Sequence, residues 1–219
     1  MTEHPPATTP ERILAAAGEI FGQDGFKAAT IRRIAHAAKA NVASIHYHFG
    51  DKEGLYAAVL ENFFQAGFSR FPADAGLDAT PEERLLAFVR SLLYRVLSRE
   101  GWGGMAGPGR LIAREFLEPT PSFKPIIEKY IKPQKDILTA ILSELLGCDA
   151  QDEILASCAL SVIGQCLYSA LRPPVVQRLA PRQAVQAEDD LDRLAAFVWQ
   201  FSLGGIGRIR ANRSIPAGG

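Results

Sequence analysis

Residues 30–52, TIRRIAHAAKANVASIHYHFGDK, gather the side chains best suited to binding a polyanion. Arg32, Arg33, Lys39 and Lys52 carry fixed positive charge. Thr30, Asn41, Ser44 and Tyr47 can donate or accept hydrogen bonds, and His46 and His48 add ring nitrogens. Between Lys27 and Lys52, five cations face the lone acid Asp51, although the whole chain balances 24 Lys+Arg against 24 Asp+Glu. A neutral total argues against indiscriminate coating of nucleic acid and is compatible with one local basic patch. The spacing predicts a short helix, a tight turn and a second short helix, the arrangement that presents a helix to the major groove of DNA.

The second short helix should begin near Val42, with Asn41 as its cap. Side chains at the N-terminal end of such a helix face base edges. Val42 and Ala43 can meet a thymine methyl, while Ser44 and Asn41 can hydrogen-bond to bases. None of them is a long fork, so Arg32 on the preceding helix is the strongest candidate base contact, beside Arg33. His46, Tyr47 and His48 are assigned to phosphates, and Lys39 adds charge near the duplex. Lys52 opens a further helix, where free N–H groups and the dipole favour an anion. Phosphate contacts set register without reading sequence.

Blander readings compete with these. Tyr47 could be a core aromatic and His36 a solvated surface residue. His46 and His48, two apart on a helix, point different ways and make a poor metal chelate. Cys158 and Cys166 share a helix face with no histidine near them in sequence, which reads as buried thiols. All four histidines (His4, His36, His46, His48) fall in the first quarter, so the body offers none for a Ser/His/Asp site. No metal, no cofactor and no enzymatic activity are expected. The three cysteines, an odd number, argue against a disulfide framework and for a reducing cytoplasm. MTEHPPATTP has neither a basic nor an apolar leader segment, so no signal peptide is expected.

The elements that must position these residues read as all-α. Residues 1–9 are a Pro/Thr-rich tail, expected to be disordered. Thr9-Pro10-Glu11 starts a helix, with Thr9 as cap, and Gly25 stops it. Thr30, Asn41 and Asp51 cap three more helices. Ile31, Ile34, Ala35 and Ala38 are inward on the first, Val42, Ile45 and Phe49 on the second, and Leu55, Val59, Leu60 and Phe63 on the third, which runs to Phe71. After PADAGLDATP, a capping box at Thr80–Glu83 opens a helix to about Arg99. A Gly-rich loop (101–109) precedes a helix near Arg110–Leu117. Ser122 caps a segment to Gly147, kinked near Pro133. Asp149 caps a helix to Leu171, a Pro-containing loop covers 173–187, and a last helix spans Asp189–Arg210.

The helix ILASCALSVIGQCLYSAL (154–171) and the last helix are apolar almost all round. Such helices need cover on every side. A membrane span is one reading, opposed by Ser157, Ser161, Gln165, Ser169 and the adjoining Asp152 and Glu153; no membrane partner is expected. The other is packing on the chain's own body and on a second copy, giving a four-helix interface about a two-fold axis.

Residues 10–60 resemble the N-terminal domain of the TetR family of transcriptional regulators. The resemblance rests on Ala17–Phe21, on Gly25-Phe26, on T-I-R-x-I-A (Thr30 to Ala35) and on Y-H-F-G-D-K-E-x-L (Tyr47 to Leu55). REFLEPTPSF, IKPQKDILTAILSELLG and SVIGQCLYSALRPPVV resemble the subgroup with a CecR-type C-terminal domain. The resemblance implies a homodimer of helical bundles on a palindromic operator in double-stranded DNA, usually repressing and released by a small molecule. It places the strongest phosphate roles on Thr30, Tyr47, His48 and Lys52. Lys39 departs from the pattern, standing where the turn commonly has Gly; a left-handed backbone there would strain it.

The expected organisation is a tail (1–9), a helix-turn-helix DNA-binding domain (10–55), an effector-binding and dimerisation bundle (56–211) and a frayed tail (212–219). Candidate effector contacts are Trp102, Met105, Arg110, Arg114, Phe116, Phe123, Tyr130, Gln165 and Tyr168. Their aromatic share suggests an apolar ligand, with Arg110 and Arg114 one turn apart for an acidic group. A tilt of the helix from Lys52 to Phe71 would couple the halves. The rivals are a DNA-bound scaffold without effector and a helical-bundle enzyme.

Overall fold

The computed structural model describes residues 8–73, 75–76, 78–104, 108–149, 153–171 and 188–213. Met105, the segment 173–187, the start of the helix after Asp149 and most of both tails lie outside them. The described residues are helical, with no strand among them.

Helix α1 (Thr9–Ala28) is capped by Thr8, not by Thr9. The Thr8 N–H donates to the Glu11 carboxylate at 2.7 Å. The shift moves Pro10 one position into the first turn, where its missing N–H is still not needed. Gly25 breaks the helix with φ 80° and ψ 170°, a conformation that side chains with a Cβ avoid. Helices α2 (Ile31–Ala37), α3 (Val42–Phe49) and α4 (Lys52–Arg70) follow in quick succession. Ile13, Ala17, Phe21, Ile34, Ala35, Ala38, Ile45, Leu55, Val59 and Leu60 close a small core between them. Val42, expected inward, is 36% exposed, because the Asn41 cap turns the first residue of α3 away from that core.

Helix α5 (Pro81–Leu97) opens with the expected capping box: Thr80 N–H donates to Glu83 at 2.8 Å, and Thr80 Oγ1 accepts from Glu83 N–H at 3.3 Å. It ends two residues before Arg99, where Ser98 turns extended. Helix α6 (Pro108–Leu117) leads to a 3-10 turn at Pro121–Phe123, capped by Thr120 with Ser122 inside it, and to a short α7 (Lys124–Ile126). A π-turn at Ile127–Ile131 then joins α8 (Lys132–Leu146). The expected disturbance near Pro133 takes this form: proline supplies no N–H to the ladder, and the turn before it widens to absorb the mismatch. Gly147 closes α8 in the left-handed conformation.

Helices α9 (Glu153–Leu171) and α10 (Glu188–Arg213) pack with α5 and α8 around a second core of Leu85, Phe88, Val89, Leu93, Leu138, Ile141, Leu142, Leu155, Val162, Ala195 and Val198. The serines of α9 return hydrogen bonds to their own helix, Ser161 Oγ to Ser157 O at 2.8 Å and Ser169 Oγ to Gln165 O at 2.9 Å. Among the described residues no helix is long and apolar enough to cross a membrane. Cys148, Cys158 and Cys166 are free thiols; burial pushes Cys166 up to about 12, so it stays protonated.

The first core does not stop at the short helices. It continues along α4 into Val96, Trp102, Leu111, Ile112, Phe123 and Ile126. Helix α6 packs directly on α1. The N-terminal unit is thereby joined to one end of the body by continuous packing.

Candidate functional site

Three successive helix N-termini share one capping device. Thr30 Oγ1 accepts from Arg33 N–H at 3.3 Å, Asn41 Oδ1 from Ser44 N–H at 2.6 Å, and Asp51 Oδ1 from Gly54 N–H at 2.7 Å. Each such cap contributes about 1 kcal/mol and fixes where its helix starts. Helix α3 is only eight residues long, and Ile45 is its one fully buried side chain. Most of its surface is open: Asn41, Val42, Ala43, His46 and His48 are exposed, and Tyr47 is 85% exposed, while Phe49 packs partly on the core. That removes the reading of Tyr47 as a core aromatic.

The cations sit around this helix. Thr30, Arg32, Arg33 and Lys39 are exposed. Arg33 pairs with Asp24 of α1, so part of its charge is neutralised locally. Lys39 has φ 50° and is the one residue other than glycine with positive φ among those described, which realises the strain its place in the turn implies. Lys52 is half-buried; its ammonium lies 4.5 Å from the centroid of the Phe26 ring and donates to Ala29 O at 3.3 Å. It therefore ties the start of α4 to the end of α1 while remaining at a helix N-terminus. Ser44 is half-buried, and its hydroxyl donates to Asn41 Oδ1 at 2.9 Å, leaving its lone pairs as its free function. His46 Nδ1 meets Gly50 O at 2.6 Å. No group of three or more His, Cys, Asp or Glu able to hold a metal occurs among the described residues.

Behind this surface lies a buried polar contact between the halves. Glu115 of α6 is 1% exposed, and it accepts from Tyr56 Oη of α4 at 2.5 Å and from Thr120 N–H at 2.8 Å. Burial, and then the bond to Glu115, hold the Tyr56 phenol far above its ordinary range. Its ring packs edge-on to Phe21 with centroids 4.9 Å apart, and equally close to Phe26. Arg114, on the same helix, reaches Gln23 O of α1 at 3.4 Å.

The candidate effector residues fall into separate places. Trp102, Phe123 and Tyr130 come together: the Phe64 ring lies 4.8 Å from Trp102, 5.9 Å from Phe123 and 5.8 Å from Tyr130. Phe116 joins at the rim, 5.6 Å from Phe123 and 45% exposed. Arg110 and Arg114 are exposed on α6, away from that cluster's interior. Gln165 hydrogen-bonds Ser202 across α9 and α10 at 3.3 Å, and Tyr168 is exposed. An open cavity of about 420 Å³ sits between the end of α4 and α5, lined by Arg70, Phe71, Leu86, Arg90 and Tyr94 among others; none of the candidate residues lines it.

Sequence reasoning missed Arg95. It is 1% exposed, inside the aromatic cluster, with its guanidinium carbon 4.0 Å from the centroid of Phe68. The signal was available: Phe88, Ser91 and Arg95 recur at helical spacing on the buried face of α5. An arginine on an apolar stripe is easily taken for a solvated one.

Residues 81–206 match the C-terminal domain described for the HTH-type transcriptional dual regulator CecR, and residues 13–59 match the domain described as bacterial regulatory proteins, tetR family. The dual regulator CecR of Shigella flexneri is 32% identical over 168 residues, 72% of this chain and 73% of that protein. AibR, solved with isovaleryl coenzyme A and operator DNA, has the same fold with a TM-score of 0.63 at 19% identity, covering 88% of this chain and 98% of that one. FadR of Bacillus subtilis, solved with stearoyl-CoA, gives 0.61 at 18% identity, covering 89% and 97%. The two matched domains together take in the short capped helices and most of the body, and the chain belongs to the TetR family of DNA-binding transcriptional regulators, with a CecR-type C-terminal domain.

Proposed function

We propose that the chain works in the cytoplasm as a homodimeric repressor on a palindromic operator and leaves it when a small molecule binds the body. One observation carries the DNA half of this reading: α3 holds one buried anchor, Ile45, and turns Val42, Ala43, His46, Tyr47 and His48 outward beside Arg32, Lys39 and Lys52. We assign base contact to Arg32, Asn41, Val42, Ala43 and Ser44. Thr30, Arg33, Lys39, His46, Tyr47, His48 and Lys52 are assigned to phosphates. The functional division at residues 10–55 and 56–211 follows from this assignment, with α4 shared between the two.

The dimer is supported by large apolar side chains left open on the last two helices: Leu160, Tyr168, Phe197 and Phe201 are each more than half exposed. A second copy applied to these faces would cover them and fix the separation of the two α3 helices. Ligand release needs an element shared by both halves. Helix α4 supplies it, tied to α6 by Tyr56 and Glu115. A ligand that favours one position of α4 and α6 shifts the operator-competent population by its difference in affinity for the two positions. AibR and FadR, which share the fold, were solved with coenzyme A thioesters, so a carboxylic acid or its thioester is a reasonable class to try first.

The test is genomic footprinting with the purified full chain, alongside sedimentation. The expected result is a dimer at micromolar concentration protecting a palindromic site. A monomer, or indifference to every fragment at low salt, overturns the reading. Within it, Lys52→Ala should weaken all duplexes alike and lower the salt slope by about one; altered sequence preference would remove Lys52 from the phosphate set. A turnover assay on the same protein should find none.

A further inference from the structure

We propose that Arg95 is the anion-binding point of a buried ligand site in the body, and that the ligand is a small organic acid with a flat or extended apolar part. The inference rests on the ligand-responsive reading above and names the chemistry of that ligand.

Arg95 is nearly fully buried, yet two of its three guanidinium nitrogens, Nε and Nη1, have no acceptor among the described residues. Only Nη2 is engaged, donating to Gln134 Oε1 at 3.1 Å. Buried charged groups are ordinarily paired, because an unpaired one gives up its hydration without return. No carboxylate among the described residues fills the role. Glu61, the acid beside Tyr130, is taken by Lys129 and by the Tyr130 hydroxyl at 2.6 Å. Glu100 is taken by Arg70, with a contact of 2.9 Å to Nε.

The surroundings suit an apolar acid. The Phe68 ring faces the guanidinium, and Phe68 stacks on Tyr130 with centroids 5.3 Å apart. Trp102 lies 6.3 Å from Phe68, and its backbone N–H donates to Arg95 O at 2.7 Å, so the loop that carries the indole is fastened to the residue that carries the charge. The ring rests on Gly67, where a Cβ would come within 2.7 Å of the indole nitrogen. A planar guanidinium matches a carboxylate with two parallel hydrogen bonds, strongest where water is kept out. Burial draws Arg95 down to about 10, which still leaves it charged at neutral pH. A coenzyme A thioester offers one neutral carbonyl oxygen at its acyl end, whereas a free acid offers two oxygens and the opposite charge.

The experiment uses the full chain with Trp199→Phe, which leaves Trp102 as the lone tryptophan of the two in the sequence. A panel of aryl and alkyl carboxylic acids, each with its methyl ester, and isovaleryl coenzyme A are titrated against Trp102 fluorescence and by calorimetry. At least one acid should bind saturably and shift Trp102 emission, with its ester at least about tenfold weaker. Arg95→Met should weaken that acid by about 10–100-fold and its ester by less than about twofold. The ligand-free melting temperature of Arg95→Met should rise by about 2–4 °C, because a buried unpaired charge is gone. A purely structural arginine would lower it. If Arg95→Met does not fold, Arg95→Lys keeps the charge without the planar fork and should lose the acid by about tenfold. Esters or the thioester binding as well as acids, with no dependence on residue 95, overturn the site and leave the ligand-responsive reading standing. No binding by any probe, while operator DNA is still held, overturns both.

Discussion

The N-terminal surface and the buried end of the body use arginine and aromatic side chains in opposite ways. On the surface, Tyr47 stands free in solvent and Arg32 is exposed. In the body, Tyr130 and Phe68 are packed ring against ring and Arg95 is sealed behind them. The surface keeps its charges solvated until a polyanion displaces counterions, so its chemistry costs the fold little. The body holds a charge out of water, so whatever Arg95 does is paid for in stability. The first region is specified by short-range signals, caps three residues from the N–H groups they satisfy. The second exists only because α4, α5, the 101–104 loop and the segment around the π-turn converge.

Substitutions can break this contrast, and the largest effect is expected in the core that joins the two regions. Phe64 touches Trp102, Phe123 and Tyr130, so Phe64→Ala should destabilise the protein by about 3–5 kcal/mol by denaturant titration. A loss under about 1 kcal/mol would mean that the cluster is loosely packed. Ser44→Ala should change the preference at a single base position by roughly 1–3 kcal/mol, measured by competition among operator variants. An equal loss on all sequences would make Ser44 a structural partner of Asn41. Lys39→Gly should stabilise the fold by about 1 kcal/mol, since glycine accepts the positive φ that lysine resists, while weakening DNA binding through the lost charge. If stability falls instead, the lysine side chain holds the turn. Tyr47→Ala should move the melting temperature by less than about 2 °C and still lower operator affinity. A large thermal loss would place Tyr47 with the core residues and erase the contrast.

Much of the fold was legible in the chain. The caps at Thr30, Asn41, Asp51 and Thr80, and the inward residues Ile34, Ile45, Leu55 and Leu60, follow from local rules, because cap chemistry and helical periodicity act over three or four residues. The misplacements were local too. The cap of α1 slipped by one residue to Thr8, where a second threonine competed, and the 3-10 turn that opens the segment to Gly147 starts after Thr120 instead of Ser122. The ligand candidates divide differently. Aromatic content picked out Trp102, Phe123 and Tyr130, which meet. It also picked out Tyr168, which lies elsewhere, as does the candidate Gln165, because composition carries no information on which helix faces converge.

The sequence by itself determined an all-helical chain, the start points of its short helices and the basic character of the segment from Lys27 to Lys52, since these depend on neighbours in the chain. Only the tertiary structure decided that Glu115 would be buried against Tyr56, that the N-terminal core would run on into α6, and that Arg95 would face inward with no acid to meet it among the described residues. Those outcomes depend on pairs far apart in the chain, such as Tyr56 and Glu115 at a separation of 59 and Gln23 and Arg114 at 91. A guanidinium or a carboxylate is the same group in the sequence whether it ends in water or in a core; packing sets the dielectric around it, and the dielectric sets what it can bind.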